Sequence, residues 1–479
     1  MLKKSLFIFF FLLLSTVRSQ TPCINGMANE YPCNNFDLMS FIPIKTLANS
    51  NGTPTGSDVW GWTDPETNKE YAIAGMSNST AFIDITDPIN PVFLGRLDSN
   101  KGSSHWRDIK VFNNYAFIVA DNVGEHGMQV FDLTKLRGAT SEQNFNADFI
   151  YTGVGSCHNI VINETKGVAY LLGCREINGG GPIFIDITTP TTPSYIGDYR
   201  SEGYSHDAQV ITYSGPDTIH RGKEIYIGSN ENKIIILDVT DKTNIVKISS
   251  LNYPQIGYTH QGWFTDDHRY FILGDEKDEQ NFGMNTRSLI FDLQDLENPK
   301  LSFTHFGKTK AIDHNGYVKN NEFFLSNYTA GMRVFDISNI LSTSNPMVEI
   351  GYFDTYPQND NTAFNGVWSI YPYFSSGSII INDINRGLYI VKKSGTLDID
   401  ENKIDKINVK IFPNPTQKQL VISINKGKIK NLDIMSIIGK KIISRKDLNS
   451  SKIELDISNL STGVYLVKVN TKTKKIILN

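Results

Sequence analysis

The chain has 479 residues, a net charge of −4 and a sequence pI near 6.2. That length exceeds one ordinary core and calls for two or more domains. The mild acidity gives no basis for nucleic acid or an anionic membrane as a partner, while 11% aromatics and 37 glycines suit strands joined by tight turns.

At the N-terminus Lys3 and Lys4 precede an unbroken apolar run over residues 6–14, and Val17-Arg18-Ser19 follows. A basic start, a short apolar core and a small residue before Gln20 predict a secretory signal peptide over 1–19. The run is well short of the roughly 20 residues a membrane span needs. No later stretch is long and apolar enough, so the mature chain is expected to have no transmembrane span. Four cysteines, Cys23, Cys33, Cys157 and Cys174, then belong to an exported chain. Export favours disulfides, and four cysteines allow three pairings, of which Cys23–Cys33 with Cys157–Cys174 is the simplest.

An apolar stretch over 38–47 stands alone before the first repeat. The repeat itself is a short phrase, apolar-apolar-Asp-apolar-Thr/Ser, around Asp84, Asp132, Asp186, Asp238, Asp292 and Asp336. It recurs every 44 to 54 residues, the length of a four-stranded propeller blade. Upstream of each Asp lies a second landmark: Cys157-His158-Asn159, Ser205-His206-Asp207, Thr259-His260-Gln261 and Asp313-His314-Asn315. Asp58, Arg107 and Phe364-Asn365-Gly366 stand for the remaining units, which makes seven. Each unit continues through an alternating apolar strand, the Asp phrase, and a further strand, often after a proline. The last unit stops after Val391 without a fourth strand. The stretch at 38–47 is expected to supply it and leave no open edge. The repeated Asp, at a strand end before Thr or Ser, is expected to accept turn amides.

Residues 394–405 are polar and acidic, as a linker would be. Residues 406–479 are rich in Lys and Ile and alternate as strands do. The fold expected is all-β: a seven-bladed β-propeller over 20–393, then a small C-terminal Ig-like β-sandwich over 406–479.

The C-terminal segment resembles the sorting domain of the type IX (Por) secretion system. It does so in Phe412-Pro413-Asn414-Pro415-Thr416, in Ile438-Gly439-Lys440, in the strand Ser461-Thr462-Gly463-Val464-Tyr465-Leu466-Val467-Lys468-Val469 and in its Lys-rich end. The resemblance implies type IX machinery as a partner, a bacterium of the Bacteroidetes type, and a final place outside the cell, secreted or on its surface. The body resembles the choice-of-anchor B family of surface proteins with LVIVD-type repeats. Trp106-Arg107-Asp108-Ile109, His126-Gly127-Met128-Gln129, Cys157-His158-Asn159-Ile160 and Tyr258-Thr259-His260-Gln261 carry that likeness. It implies location and fold and carries no established activity.

The innermost strand of each blade lines a central channel, and residues in one register form a ring. That ring is expected to contain Asp58, Arg107, His158, His206, His260, His314 and Phe364. Four of the nine histidines thus fall in consecutive blades. Converging imidazoles can hold a transition metal in the channel, with Asp207, Asn159, Gln261 and Asn315 as outer partners. Such a site resembles, in outline, the iron centre of carotenoid-cleaving oxygenases. The alternative is histidines that hydrogen-bond neighbouring blades. Asp58, Arg107 and Asp207 suit a polar or anionic ligand at the channel mouth. There is no H-E-x-x-H, G-x-S-x-G or Walker motif. The function expected is a non-enzymatic binding module for an unknown extracellular ligand, a glycan, a peptide or a surface protein. The alternatives are a metal-dependent enzyme at the histidine ring and a structural surface-layer protein.

Overall fold

The computed structural model describes residues 20–49, 52–342, 346–395, 409–416, 418–424, 428–436, 440–470 and 472–478. The expected signal peptide, most of the expected linker, and Ile438 and Gly439 of the C-terminal turn lie outside the described residues. The chain divides into two compact units, 1–395 and 396–479.

The first unit is all-β and propeller-like, with seven sheets among the described residues, antiparallel throughout except where Gln143–Phe145 adds parallel to Val92–Asp98 at the edge of the first. The fourth is representative: Asp207–Thr212, Glu224–Ser229, Ile234–Asp238 and Val246–Leu251 follow in chain order, each hydrogen-bonded to the next. The first strands of the seven sheets are Gly56–Thr63, Arg107–Phe112, Asn159–Asn163, Asp207–Thr212, Thr259–Phe264, Gly316–Lys319 and Val367–Tyr371. Sheets adjacent in sequence are adjacent in space, and Val367–Tyr371 packs back against Gly56–Thr63, so the series closes. Apolar side chains fill the gaps between sheets. Val161, Tyr170, Phe184, Val210, Tyr226, Ile235 and Leu237, for example, form one buried cluster between the third and fourth sheets. Burial of this kind stabilises by about 25 cal/mol per Å² of apolar surface.

The repeated Asp ends the third strand of six sheets. In each case its carboxylate accepts the amide two residues on: Thr86 to Asp84, Thr134 to Asp132, Thr188 to Asp186, Thr240 to Asp238, Gln294 to Asp292 and Ser338 to Asp336, all within 2.8–3.1 Å. These carboxylates turn the chain and do not reach the channel.

The N-terminal chain contributes to two distant sheets. Tyr31–Asn34 pairs with Val348–Phe353, with Met27–Ala28 outside it, and Phe36–Pro43 pairs antiparallel with Gly387–Lys393 as the outer strand of the seventh sheet. This strand is shorter than the apolar stretch at 38–47. Pro43 has no N–H to extend the ladder, and Ile44–Leu47 forms a single helical turn. Cys23 is bonded to Cys33 beside these strands, and Cys157 to Cys174 across the first two strands of the third sheet.

In the second unit, Val409–Phe412, Gln419–Ile424 and Lys452–Asp456 form one sheet. Leu432–Ser436, Lys441–Arg445, Gly463–Val469 and Lys472–Leu478 form another. Leu420, Ile422, Leu432, Ile434, Val467 and Ile476 belong to a single apolar core that both sheets share.

Candidate functional site: a channel with two unlike mouths

Side chains two residues apart on a strand share a face, which sets the second and third layers below; the first layer comes from residues just before a first strand or bulged from its start. Three layers can be traced.

The first layer is made of imidazoles. His158, His206, His260 and His314 stand side by side, with successive ring centroids 4.2, 4.3 and 4.4 Å apart. His206 Nδ1 donates to the carbonyl of His260 at 3.1 Å and His314 Nδ1 to that of Trp368 at 2.6 Å, each a step of 54 residues. The seventh sheet therefore presents Trp368 at this level, edge-on to His314 at 4.9 Å. Phe364, expected there, lies at the rim of the same hollow, 42% exposed. A register shift between Thr259 and Gln261 gives His260 its place, and a second between Val367 and Ser369 does the same for Trp368. Extra residues of this kind re-aim a side chain without breaking the sheet.

A carbonyl only accepts, so Nδ1 of His206 and His314 carries the proton and Nε2 presents its lone pair. His158 Nδ1 is held likewise by Asp121 Oδ2 at 3.0 Å. Burial keeps His206 and His260 neutral, far below the usual imidazole value, and lowers His314 to about 3. Glu276 enters from the segment after Tyr270–Asp275. Its Oε1 is 3.8 Å from His260 Nε2 and 3.6 Å from His314 Nε2, and accepts from the Tyr328 hydroxyl at 2.8 Å. Burial pushes its carboxyl up to about 7. One ligand atom from each of His260, Glu276 and His314 lies within 4.8 Å of the others, close enough to share an ion. His158 and His206 continue the arc outside this trio. The hollow over the arc has a volume of about 540 Å³, within the size of small-ligand pockets, and its wall includes Arg175, Tyr204, Tyr258 and Lys277.

The second layer is a buried polar neck: Asp58, Asp108, Asn159, Asp207, Gln261, Asn315 and Ser369. Asn159 Nδ2 donates to Asp207 Oδ2 at 3.0 Å, and Gln261 Oε1 accepts Gly316 N at 2.9 Å. The free space here is only about 20 Å³. Asp58 belongs to this layer, one level below the imidazoles, because Gly56–Thr63 carries a register shift between Gly56 and Val59. Its Oδ2 faces Lys110 Nζ at 3.2 Å, and Asp108 Oδ1 faces the same ammonium at 2.6 Å. Burial alone would lower Lys110, but the facing carboxylates of Asp108 and Asp58 outweigh it and hold the ammonium charged. Burial raises Asp207 to about 7.

Arg107 was expected at a mouth, but it is 1% exposed and turned into the fold. Its Nε donates to the Met76 carbonyl at 3.0 Å and its Nη1 meets His126 Nε2 at 3.2 Å. The guanidinium fills the gap between the first two sheets and is not offered to a ligand.

The third layer opens the opposite mouth, a hollow of about 400 Å³. Trp60, Trp263, Tyr317, Tyr371 and Tyr373 line it, over a floor that includes Asp108, Lys110, Asp207, Gln209 and Gln261. Lys110 Nζ sits 4.6 Å from the Trp60 ring, and Trp263 meets Tyr317 edge-on at 5.0 Å. Trp60, Trp263, Tyr371 and Tyr373 are half-buried, with ring surface still open. Of these residues Asp207 alone was expected at a channel mouth, and the aromatic ring around it was not.

Residues 410–479 match the secretion system C-terminal sorting domain. The chain thus carries the type IX sorting signal for export to the cell surface or the extracellular space, and among the described residues no helix is long and apolar enough to cross a membrane. No curated protein matches the chain. Among solved structures it is similar to a protein from Lactobacillus plantarum, at 10% identity and a TM-score of 0.45, over 84% of this chain and 98% of that one. It is also similar to a functionally unknown protein from Desulfotomaculum acetoxidans, at 13% identity and a TM-score of 0.44, over 64% of this chain and 88% of that one.

Proposed function

We propose that residues 20–393 form a seven-bladed β-propeller of the choice-of-anchor B type, that residues 406–479 form an Ig-like sorting sandwich, and that the propeller is a non-enzymatic glycan-binding module outside the cell. One observation carries the binding reading: four half-buried aromatic rings stand around a hollow of about 400 Å³ whose floor is polar. A sugar ring has an apolar C–H face and a rim of hydroxyls. Trp60, Trp263, Tyr371 and Tyr373 supply flat apolar surface for the face. Asp108, Asp207, Gln209 and Gln261 supply acceptors for the hydroxyls, and the volume suits one or two sugar rings.

The test is a glycan array followed by calorimetry on the full chain. Binding of a defined glycan, lost in Trp263→Ala, supports the reading. No glycan bound, or binding indifferent to Trp263→Ala and Tyr371→Ala, overturns it.

A second reading is favoured by the other mouth. His260, His314 and Glu276 form a two-histidine, one-carboxylate group in which the Nδ1–carbonyl bond of His314 leaves its Nε2 lone pair free, a donor set suited to a first-row transition metal. Such a metal would act there as a Lewis acid. Elemental analysis of chelator-free protein decides it: a stoichiometric transition metal that disappears in His260→Ala supports a metal-dependent activity, and metal-free protein after reconstitution removes it.

A further inference from the structure

Behind the imidazole mouth, between the fifth and sixth sheets, three carboxyl groups meet in the interior. Asp278 and Glu279 follow the strand Tyr270–Asp275 and open the short helix Asp278–Phe282, and Asp313 directly precedes His314. All three are buried, at 0%, 2% and 0% exposure. One oxygen from each lies within 4.8 Å of the others.

The hydrogen bonding around them is incomplete. Asp278 Oδ1, both oxygens of Glu279 and both oxygens of Asp313 are buried without a well-formed hydrogen bond, the carboxyls of Asp278 and Asp313 lying instead against that of Glu279. Arg287 is the nearby cation. Its Nε donates to Asp278 Oδ2 at 2.5 Å, while Nη1 and Nη2 are engaged by the carbonyls of Pro254 and Gln255 at 3.0 and 2.8 Å. Neighbouring Asp275 shows the contrast. It is equally buried, but its oxygens accept from Gly257 N, Tyr258 N and the Tyr253 hydroxyl. A buried polar oxygen without a donor costs roughly 1–3 kcal/mol, more when charged, so five together call for a partner of another kind.

The surrounding backbone accommodates this group. A Cβ on Gly274 would fall 2.0 Å from Asp313 Oδ2, so glycine there makes room for the carboxylate. Burial drives Glu279 and Asp313 far above the ordinary carboxylate range when nothing but protein surrounds them.

We propose that Asp278, Glu279 and Asp313 bind a hard divalent cation, calcium, at a buried structural site that pins the fifth sheet to the sixth. The donors are all oxygen, which selects calcium over the softer transition metals. Arg287 already faces Asp278 and Asp275, so Glu279 and Asp313 are left without a cation, and a divalent ion would neutralise that pair. The site is separate from the two-histidine group and does not depend on the function proposed for either mouth. Its position gives it a structural effect: it fixes the entry to His314 on one side and the segment carrying Glu276 on the other.

The experiment uses the full chain purified without chelator. Calcium is measured by elemental analysis, and the melting temperature is followed in EGTA and after return of millimolar calcium. The expected result is about one calcium per chain, with EGTA lowering the melting temperature by at least ~3 °C and calcium restoring it. Glu279→Gln and Asp313→Asn should each abolish the response. If Asp313→Asn fails to fold, Glu279→Gln and the wild-type comparison still decide. Protein without calcium, whose melting temperature ignores both EGTA and added calcium, overturns the proposal; a rise in melting temperature on acidification would then identify shared protons as what holds the carboxyls together. Restoration by zinc in preference to calcium overturns it as well.

Discussion

The two mouths of the channel are built from the same strands and differ in almost every chemical respect. At one end the side chains are imidazoles, of which His206 and His314 are held neutral by burial and tied by Nδ1 to the next sheet, and a protonatable carboxyl backs them. At the other end they are half-buried indoles and phenols over a charged floor. The neck between them leaves about 20 Å³, far less than an organic ligand fills, so the two hollows take ligands of that size separately. A single repeated strand can therefore serve two chemistries if successive layers are varied independently. The two hollows share a scaffold and can diverge separately.

That separation can be broken or sharpened by experiment. The largest effect expected is on binding. Trp263→Ala should weaken glycan affinity about 100-fold, as loss of a central aromatic contact commonly does. Glu276→Gln at the opposite mouth should leave that affinity within about 2-fold, since the neck intervenes. Calorimetry on both variants measures the difference, and equal losses would join the two mouths into one site.

Next in size is the disulfide Cys157–Cys174, which closes a separation of 17 residues beside His158. Replacing both cysteines with serine should cost about 3 kcal/mol of stability by the loop-entropy relation. Hydrogen exchange should rise at His158 and its neighbours and stay unchanged around Trp263 and Tyr317.

A smaller, pH-dependent effect belongs to Asp207. Its folded carboxyl keeps a proton up to about pH 7, against a usual value of 3.8. The folded state thus holds the extra proton between those values, so the stability from this group is full below about pH 4 and is lost as pH rises through 7. Asp207→Asn should flatten that decline and melt a few degrees higher than wild type at pH 8. Glu276 has the same sign in metal-free protein. A bound transition metal would reverse it, because the ion favours the ionised carboxylate. Thermal scans from pH 4 to 8 with and without metal therefore distinguish the mouths.

The smallest effect is expected far from both. Asp238→Ala removes an acceptor for Thr240 N at 3.1 Å and should cost about 1 kcal/mol in urea unfolding while changing neither mouth.

Much of this architecture was legible because it is periodic. The Asp phrase marks strand ends by a local hydrogen bond, which needs only neighbouring residues. The histidines at 206, 260 and 314 keep a step of 54 residues, and one more step leads to Trp368. The sequence reading followed residue type to Phe364 instead and missed it. Asp58 was read one level too high because a register shift in its strand is invisible in the spacing. Arg107 shares the histidines' level, but its longer side chain turns between sheets. Glu276, Asp278 and Glu279 lie in one acidic run after Tyr270–Asp275, but their partners His314 and Asp313 come from the next sheet, and no local pattern joins the two segments. The aromatic mouth follows the same 54-residue step through Trp263, Tyr317 and Tyr371, hidden because the residue type varies along it.

The pairing of Phe36–Pro43 with Gly387–Lys393 carries a consequence in time. A chain that emerges N-terminus first delivers this strand at the beginning and its partner some 350 residues later. At a synthesis rate of roughly 5–20 residues per second, the interval is tens of seconds. Throughout it an apolar strand waits with unpaired edges, an invitation to the wrong neighbour. The sixth sheet waits on the same early segment through Tyr31–Asn34. These two strands are thus among the first segments delivered and the last to be paired, and a holding factor in the compartment where folding occurs would act on residues 27–43 before any other part of the molecule.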